Sequence, residues 1–494
     1  MGPEREGARQ TGQAGGEVPI DGRRSRKLVT GNSWNDMREQ SVMGLMRLIG
    51  LGRATFTHGI HPPEYKETTG AKTIRRLPFA PEMVLPLSQH FGKPSIPIVH
   101  EGQEVVRGEP IAKADGFMSV PLHAPATGVI KRIGLMPTAR GPKSEAITLR
   151  LHAGASQDVL YDMPQDVDEM TPEQIVKAVQ DTGMVGLGGA SFPTHVKMTV
   201  PAGQKVDTVM VNGCECEPYL TTDHRVMLEY SMDLFAGIRV AMKAVGAERA
   251  IIGIEDNKPD AIRELRKACP GDDSVTVGVM KTKYPQGAEK MMIKALLGRE
   301  VPSGGYPSAV GVSVYNVATL AQLGSLLPDG RGLIERVVTI AGPGIEHPGN
   351  YLAALGTPLR FVLQQLGLEG DAKQLILGGP MMGVSVSSLD VPVTKGVSGI
   401  LVLTEEEKAA NVPKQVWPCI KCARCVQACP IHLNPSELGM LAAKRKYDVM
   451  EEQFHLNDCF ECGCCTYVCP SAIPLVQYFR IAKAINRENK ARAA

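Results

Sequence analysis

Two runs of cysteines near the carboxyl end of the chain carry its clearest chemical signal. Each run reads C-x2-C-x2-C-x3-C-P, and together they comprise Cys419, Cys422, Cys425, Cys429, Cys459, Cys462, Cys465 and Cys469. This spacing is typical of thiolates that hold two [4Fe–4S] clusters, where the last cysteine of each run serves the cluster of the other run. Cys469 is therefore predicted to complete the first cluster and Cys429 the second. The chemistry that follows is one-electron transfer.

Zinc is the alternative for closely spaced cysteines. Structural zinc sites normally use separate C-x2-C pairs without the x3-C-P ending, so the two matched runs favour clusters. Cys464 also lies inside the second run. Its neighbour Cys465 satisfies the spacing, so we interpret Cys464 as a bystander, with an exchange of ligand roles between the two as the alternative.

Length and charge set limits on the function. The chain has 494 residues, which predicts three or four domains, and a formal net charge of +2, which does not indicate nucleic-acid binding. We expect no secretory signal and no transmembrane segment, because no apolar stretch of suitable length occurs. Thiolate clusters then suit a reducing compartment. Four cysteines remain outside the two runs of ligands: Cys214, Cys216, Cys269 and Cys464.

The amino-terminal third is predicted to hold two units. Residues 1–50 are expected to form a disordered extension with a possible docking helix. Residues 51–160 contain short β-rich pieces separated by glycines, which predict a small barrel or sandwich. The segment 120–128 resembles the biotinyl/lipoyl-carrier fold. The hairpin tip before it, 115–118, has no lysine, so the carrier function is not expected.

Residues 161–333 alternate between helical and strand patterns. Thr171 begins a helix with the capping-box sequence T-P-E-Q. Apolar strands at 206–211, 251–254 and 275–280 are separated by amphipathic helices. This alternation predicts a parallel sheet covered by helices.

The carboxyl-terminal third contains three predicted units. Residues 334–408 combine short strands with one helix after Thr357, as a β-grasp domain does. Residues 409–475 hold the cysteine runs, separated by a helix that Asn434 caps, and 476–494 form a basic tail. The predicted fold class is therefore a multidomain α/β protein: a carrier-like β barrel-sandwich, a parallel α/β domain, a β-grasp domain and a two-cluster domain like that of bacterial ferredoxins.

A glycine-rich loop is the candidate entry point for electrons. Clusters take one electron at a time, so a pyridine-nucleotide donor requires a flavin between. The loop at 186–197 reads G-L-G-G-A-S-F-P-T-H-V-K, in which glycines let backbone N–H groups approach a phosphate and Lys197 adds a charge. It is not the G-x-G-x-x-G of dinucleotide-binding folds. Taken alone, such a loop is as often a structural turn.

Four sequence blocks make the loop specific. It resembles the flavin loop of the NADH-binding (51 kDa) subunit of respiratory complex I. The blocks N-G-C-E-C-E-P-Y at 212–219, Y-P-Q-G-A-E at 284–289 and N-V-A-T-L at 316–320 resemble that family in the same order. The domain combination, together with G-I-H-P-P-E at 59–64, resembles the RnfC (RsxC) family of the Rnf ion-translocating electron-transport complex over about residues 55–475.

The resemblance implies a function and a site. In that family the subunit oxidises NADH through FMN and passes electrons to an ion-coupled membrane complex, which links NADH to ferredoxin. Glu217 and Glu289 would approach the isoalloxazine and nicotinamide as catalytic residues, and Phe192 would stack on the adenine. Without the blocks, both glutamates would be interpreted as surface acids. The residues implied to hold FMN are Gly186, Gly188, Gly189, Lys197, Asn212, Tyr284, Gly287, Asn316 and Thr319.

Two departures from the complex I pattern bear on this site. Cys214 replaces an acid, and Ala288 replaces one glutamate of a pair. We therefore expect flavin electronics and nucleotide affinity to differ from those of the complex I protein.

The implied partners are NADH, the other subunits of the membrane complex and, indirectly, ferredoxin, with no nucleic acid. The implied location is peripheral, on the cytoplasmic face of the inner (plasma) membrane. Two alternatives remain: a cobalamin-reductase-like flavo-iron–sulfur protein of microcompartments, and an electron relay that no longer binds nucleotide. The sequence does not decide between NADH and NADPH, the direction of electron flow or the coupled ion.

Overall fold

The computed structural model describes residues 54–139, 141, 143–369, 372–406 and 415–493. The predicted extension and docking helix within residues 1–50 lie outside the described residues. The strands are β1 (Ile74–Arg76), β2 (Glu82–Pro86), β3 (Ile96–Pro97), β4 (Glu104–Val105), β5 (Pro110–Lys113), β6 (Leu122–His123), β7 (Gly128–Met136), β8 (Ser144–Leu151), β9 (Thr208–Gly213), β10 (Arg249–Glu255), β11 (Val275–Met280), β12 (Val312–Asn316), β13 (Glu335–Ala341), β14 (Gly349–Ala354), β15 (Ala372–Leu377), β16 (Val384–Val386) and β17 (Gly399–Thr404).

Thirteen α-helices and two short 3-10 turns, Pro307–Val310 and Leu456–Asp458, lie in the described part of the chain. The helices are α1 (Pro172–Asp181), α2 (Thr194–Met198), α3 (Thr222–Glu229), α4 (Ser231–Val245), α5 (Pro259–Ala268), α6 (Glu289–Leu297), α7 (Val317–Leu326), α8 (Leu359–Leu366), α9 (Arg424–Ala428), α10 (Pro435–Ala443), α11 (Tyr447–Glu452), α12 (Cys464–Tyr467) and α13 (Leu475–Ala493). None of these helices has the length and apolar character that crossing a membrane requires.

Two small sheets form the predicted barrel-sandwich. Antiparallel strands follow the order β2-β8-β7-β4 in one sheet and β3-β5-β6 in the other. Ile111 and Leu122 of the second sheet and Ile130 and Leu149 of the first are fully buried in one core. The glycine-separated β pattern therefore produced the expected fold.

The parallel sheet is confirmed, with strand order β11-β10-β9-β12. Thr171 caps α1 as predicted: its hydroxyl accepts from the Gln174 N–H, while the Gln174 side chain accepts from the Thr171 N–H. The chain runs from β9 outward to β10 and β11, and then returns to place β12 on the opposite side of β9. Ligands in open α/β sheets bind at the carboxyl ends of the strands where the order reverses, here between β9 and β12.

A mixed six-stranded sheet follows, with the order β1-β14-β13-β17-β15-β16. Helix α8 covers it, and Val362 and Leu363 pack with Val338 and Ile400 of the sheet. Strand β1 lies within the range 51–160 predicted for the barrel-sandwich, yet it pairs in parallel with β14 of this sheet.

Helices α9–α13 carry the cysteine runs. Asn434 caps α10 as predicted, because its side chain accepts from the Glu437 N–H at 3.2 Å. The basic tail is the helix α13, whose Leu475 and Phe479 are buried in the core of this unit. The positive residues of the tail also serve this fold: Arg480 and Lys483 both pair with Glu461.

A buried histidine predicts pH-dependent stability. His123 is 6% exposed and packs against Gly332, where an added Cβ would lie 2.1 Å from the ring. Burial, and secondarily the charge of Lys395, lowers the pKa of His123 to about 3. In the unfolded chain the pKa is about 6.5, so the stabilisation is complete above that pH and is lost as the pH falls toward 3. At pH 5 the free energy of unfolding is lower by about 2 kcal/mol because of this ring.

The measurement is the thermal midpoint at pH 7 and pH 5. We expect the thermal midpoint of His123→Gln to fall less from pH 7 to pH 5 than that of the wild-type chain. His100→Gln, at an exposed position, is the control and should follow the wild type. Equal pH dependence in all three proteins would refute the assignment.

Candidate functional site

Two asparagines lie near the carboxyl ends of the strands that flank the reversal point. Asn212 on β9 and Asn316 on β12 are paired in register. The Asn212 side chain donates to the Gly287 carbonyl at 2.8 Å and accepts from the Cys214 N–H at 3.0 Å. Asn316 caps α7 by accepting from the N–H groups of Ala318 and Thr319. Both amides are thus held at the edge where a ligand is expected.

The glycine-rich loop lies against this edge. It is closed by the Gly186 N–H, which donates to the Phe192 carbonyl at 2.8 Å. It is fixed from α7, because the Thr319 hydroxyl accepts from the Leu187 N–H at 2.9 Å. Gly188 packs on Asn316, where an added Cβ would lie 3.3 Å from the side chain.

Gly189 lies on the open side of the loop. Its φ of +114° favours glycine, and an added Cβ would meet no atom within 4 Å. Backbone groups there are approachable by a ligand. The structure therefore brings the predicted loop and the residues Asn316 and Thr319 together.

Lys197 and Glu289 meet on one side of the loop. Lys197 lies on α2, which follows the loop directly, and its ammonium group forms an ion pair with Glu289 at the start of α6. The Lys197 ammonium also lies 5.8 Å from the centre of the Tyr315 ring. Burial raises the pKa of the Tyr315 hydroxyl well above its usual range, so this hydroxyl stays neutral.

Glu217 has different partners. Its carboxylate accepts from the N–H groups of Met381 and Met382, at 3.0 and 2.8 Å, in the loop between β15 and β16. Gly379 permits this contact, since an added Cβ would lie 2.2 Å from the carboxylate. Burial raises the pKa of Glu217 to about 7, and the two N–H groups only partly oppose this effect. Glu217 therefore changes protonation near neutral pH.

A third acid lies behind Asn316. The Asn316 side chain donates to Asp223 at 2.7 Å. Burial, and then the charge of Glu215, raises the pKa of Asp223 to about 7. Glu215 itself accepts from the Thr222 hydroxyl and from the first N–H groups of α3, so its role is to cap that helix.

Tyr284 connects this edge to the cysteine runs. Its side chain is 1% exposed, and its hydroxyl donates to the Cys462 carbonyl at 2.7 Å. Three residues later, Gly287 approaches Cys214 so closely that an added Cβ would lie 2.6 Å from the Cys214 carbonyl. Two of the predicted flavin residues thus lie on one turn between the sheet edge and the cysteines.

Five cysteines line one small cavity. Four of them are predicted ligands, and we call them the proximal cysteine set: Cys429, Cys459, Cys462 and Cys465. Cys429 comes from the first run, which is the exchange that the spacing predicts. Among the described residues no three His, Cys, Asp or Glu side chains group closely enough to hold a single metal ion. These thiols instead surround a space. Burial raises the pKa of Cys459 to about 11, so an ionised set requires a compensating cation.

Cys464 is buried in the wall of the same cavity. A hydrogen bond from its thiol lowers the pKa of the neighbouring Cys462. The thiol thus contacts a predicted ligand.

The other four cysteines form the distal cysteine set: Cys419, Cys422, Cys425 and Cys469. Cys419 and Cys422 are exposed, in contrast to the proximal set. Burial raises the pKa of Cys425, and the charge of Cys469 in the other run adds to the shift. Trp417 beside this set is 57% exposed although its N–H donates to the Ser471 carbonyl. The distal set therefore lies at the protein surface.

Sequence reasoning missed a buried cation behind the loop. Arg336 on β13 is 1% exposed and donates to the carbonyls of Leu187, Val337 and Lys395. Burial lowers the pKa of Arg336 to about 10, and the charge of Asp223 opposes the shift. Lys395 is equally buried and donates to the carbonyls of Pro121 and Gly183. The only sequence signal for the burial of Arg336 was its position as a charged residue inside an apolar strand.

The residues fit the groups that the sequence predicts. An open glycine loop, with a lysine beside it and two oriented amides, suits a flavin mononucleotide. Two sets of four thiols, one of them around a cavity, suit iron–sulfur clusters. The fold and these sites define a flavin- and iron–sulfur-dependent oxidoreductase subunit.

Comparison with known proteins identifies the family. Residues 54–153 match the RnfC barrel sandwich hybrid domain, 179–325 the Nuo51 FMN-binding domain, 337–385 the SLBB domain and 418–473 the 4Fe-4S dicluster domain. One subunit of the proton-translocating ferredoxin:NAD(+) oxidoreductase complex of Clostridium ljungdahlii is 42% identical over 88% of this chain and 94% of its own. The equivalent protein of the Na(+)-translocating ferredoxin:NAD(+) oxidoreductase complex of Acetobacterium woodii is 42% identical over 82% and 90%.

The chain therefore belongs to the RnfC family, whose members are subunits of ion-translocating oxidoreductase complexes. This confirms the family that the sequence blocks indicated, and the fold class with it. An NAD+-reducing [NiFe]-hydrogenase in the air-oxidized state matches 65% of this chain and 63% of its own, at 20% identity with a TM-score of 0.47.

Proposed function

We propose that this chain oxidises NADH with bound FMN and passes single electrons through two [4Fe–4S] clusters to partners in a membrane complex, at the cytoplasmic face. When bound, FMN supplies the exchange between a hydride, which carries two electrons, and one-electron steps. The overall reaction couples NADH to ferredoxin.

The observation that carries this proposal is the turn at 284–287. At one end of the turn, the Tyr284 hydroxyl donates to the Cys462 carbonyl. At the other end, the Gly287 carbonyl accepts from the Asn212 side chain at the sheet edge. We call the carboxyl ends of β9 and β12, together with the loop at 186–197, the flavin edge. The flavin edge and the proximal cysteine set are thus connected through four residues. The distal set, with Cys419 and Cys422 exposed, is then the exit to a partner.

The side chains around the edge have distinct roles in this proposal. Lys197 pairs with the FMN phosphate as a point charge. Glu217, whose pKa of about 7 matches neutral conditions, holds a proton beside the reacting groups. Phe192 packs against Phe91 of the barrel-sandwich, with ring centres 5.8 Å apart, and offers an aromatic surface to the adenine.

Two substitutions test these roles. Lys197→Ala removes a charge and Glu217→Gln removes the proton site, so we expect each to lower NADH-dependent flavin reduction by roughly tenfold or more. Iron content should not change, because the contacts of neither side chain include a cysteine ligand. The measurement is anaerobic stopped-flow absorbance together with iron and flavin analysis.

Lys177→Ala is the control for a lost lysine. Lys177 forms an exposed ion pair with Asp181 on α1, so its loss should leave flavin reduction at the wild-type rate. Wild-type rates of NADH oxidation in both Lys197→Ala and Glu217→Gln would rule out these assignments.

A further inference from the structure

Residues 57–66, which we call the strap, connect the two halves of the proposed electron path. The strap reads T-H-G-I-H-P-P-E-Y-K and contains the G-I-H-P-P-E block at 59–64. It is irregular, with no helix or long strand of its own. An irregular segment keeps a fixed course only through contacts with its neighbours.

The first residues of the strap bind the segment that carries Cys429. The Gly59 N–H donates to the Ala428 carbonyl at 3.2 Å, and His58 Nδ1 donates to the Cys429 carbonyl at 3.0 Å. The His58 ring lies 4.5 Å from the ring of His432. This end therefore holds the backbone of one proximal ligand.

The middle of the strap binds the turn that carries Tyr284. Ile60 and Tyr284 exchange two backbone hydrogen bonds, each 2.9 Å long. Their side chains pack in one apolar cluster with Ala428 and Cys462. The strap thus adds to the single Tyr284–Cys462 hydrogen bond a second connection between the flavin edge and the proximal set.

The last residues of the strap hold the loop that carries Glu217. The Lys66 ammonium donates to the carbonyls of Glu215, Glu217 and Leu220, the first two at 2.8 and 3.0 Å. The Tyr219 N–H donates to the Glu64 carbonyl at 2.8 Å. Within ten residues, the strap reaches the flavin edge and a proximal ligand.

We propose that the strap sets the separation between the flavin edge and the proximal cysteine set, and with it the rate of electron transfer inside the chain. This inference rests on the electron path proposed above. Electron transfer falls steeply with distance, so a small displacement has a large kinetic effect. The strap is a positioning element, because its polar contacts go to backbone carbonyls of Ala428, Cys429 and Glu217 rather than to reacting atoms.

Gly59 is the position where the strap is most sensitive. Its φ is +79°, and an added Cβ would lie 2.6 Å from the Tyr284 carbonyl oxygen and 3.1 Å from the Phe56 ring. Gly59→Ala must therefore push the strap away from Tyr284. Gly102 is a matched control, because its φ is +83° but an added Cβ would have no atom within 4 Å. Gly102→Ala therefore introduces the same backbone strain without a steric clash.

The test separates electron entry from internal transfer. Each holoprotein is kept anaerobic, and the bound flavin is reduced either by NADH or by a light pulse with EDTA as the donor. In Gly59→Ala we expect flavin reduction at the wild-type rate and cluster bleaching slowed by roughly tenfold or more. Gly102→Ala should match the wild type in both phases. His58→Ala, which changes an exposed side chain, should slow cluster bleaching in the same direction.

A second readout is independent of electron transfer. Amide hydrogen exchange in Gly59→Ala should rise at 58–64, 284–288 and 428–432, and remain at wild-type levels in the barrel-sandwich. The proposal is overturned if light-driven cluster bleaching is unchanged in both Gly59→Ala and His58→Ala. If light bleaches the clusters but NADH does not reduce the wild-type flavin, the proposed function fails while the strap is still judged by the light-driven rates.

Discussion

Replacing Cys462 with alanine is expected to slow electron transfer from the flavin to the clusters by roughly a hundredfold or more. Cys462 belongs to the proximal set, its side chain is 9% exposed, and its carbonyl accepts the hydrogen bond from Tyr284. The variant loses one thiolate of four, so about half of the protein-bound iron should be lost. NADH should still bleach the flavin, while reduction of the remaining cluster slows by roughly a hundredfold or more.

The order of the two sets makes this prediction directional. In Cys419→Ala, which removes a distal ligand, NADH should still reduce the proximal cluster at the wild-type rate. Cys269→Ala is the control for a cysteine outside both sets and should retain all iron and full activity. Rapid reduction of the distal cluster in Cys462→Ala would contradict the proposed order.

Replacing Arg336 with alanine is expected to release FMN. Arg336 anchors the Leu187 carbonyl inside the flavin loop, and its removal leaves three buried carbonyls without their donor. Each unpaired group costs about 1–3 kcal/mol, so the loop should lose its conformation and the affinity for FMN should fall at least a hundredfold. The measurement is the flavin retained after gel filtration, together with the thermal midpoint and the iron content.

Two further variants separate a local effect from misfolding. Arg336→Lys keeps the charge but not the fork of donors, so it should recover part of the FMN affinity. Arg331→Ala, near the same strand but with its side chain 35% exposed, should retain FMN. Full flavin retention in Arg336→Ala would show that the loop does not depend on this residue.

Local periodicity was enough to predict three of the four strands of the parallel sheet. The alternation of apolar strands and amphipathic helices predicted β9–β11 and the helices between them, because the patterns repeat within a few residues. Strand β1 was not predicted, since three residues, Ile74–Arg76, carry no period, and their partner β14 lies far along the chain. A strand that short is defined by the sheet that it joins.

The long-range contacts of the site were also beyond local patterns. Glu217 receives hydrogen bonds from Met381 and Met382, which lie 164 and 165 positions away, and Lys66 reaches the Glu217 loop from the strap. The sequence block around Glu217 indicated the loop but not its partners. A charged residue such as Arg336 usually marks a surface, so its burial is not evident from a local sequence pattern.

The departure at Cys214 has a structural basis. Its side chain is 6% exposed, and its thiol lies 3.6 Å from the Gly253 carbonyl. Burial raises the pKa of Cys214 well above its usual range, so a neutral thiol stands where complex I has an acid. The flavin edge is consequently less negative at this position.

The most direct test of the electron path is a single-mixing experiment on the wild-type holoprotein. Anaerobic protein is mixed with NADH, and the absorbance of flavin and of iron–sulfur clusters is followed separately. The proposed path predicts that the flavin bleaches first and that the cluster absorbance then falls as the flavin band partly recovers. Cluster reduction without prior flavin bleaching, or a flavin band that NADH does not change, would contradict it.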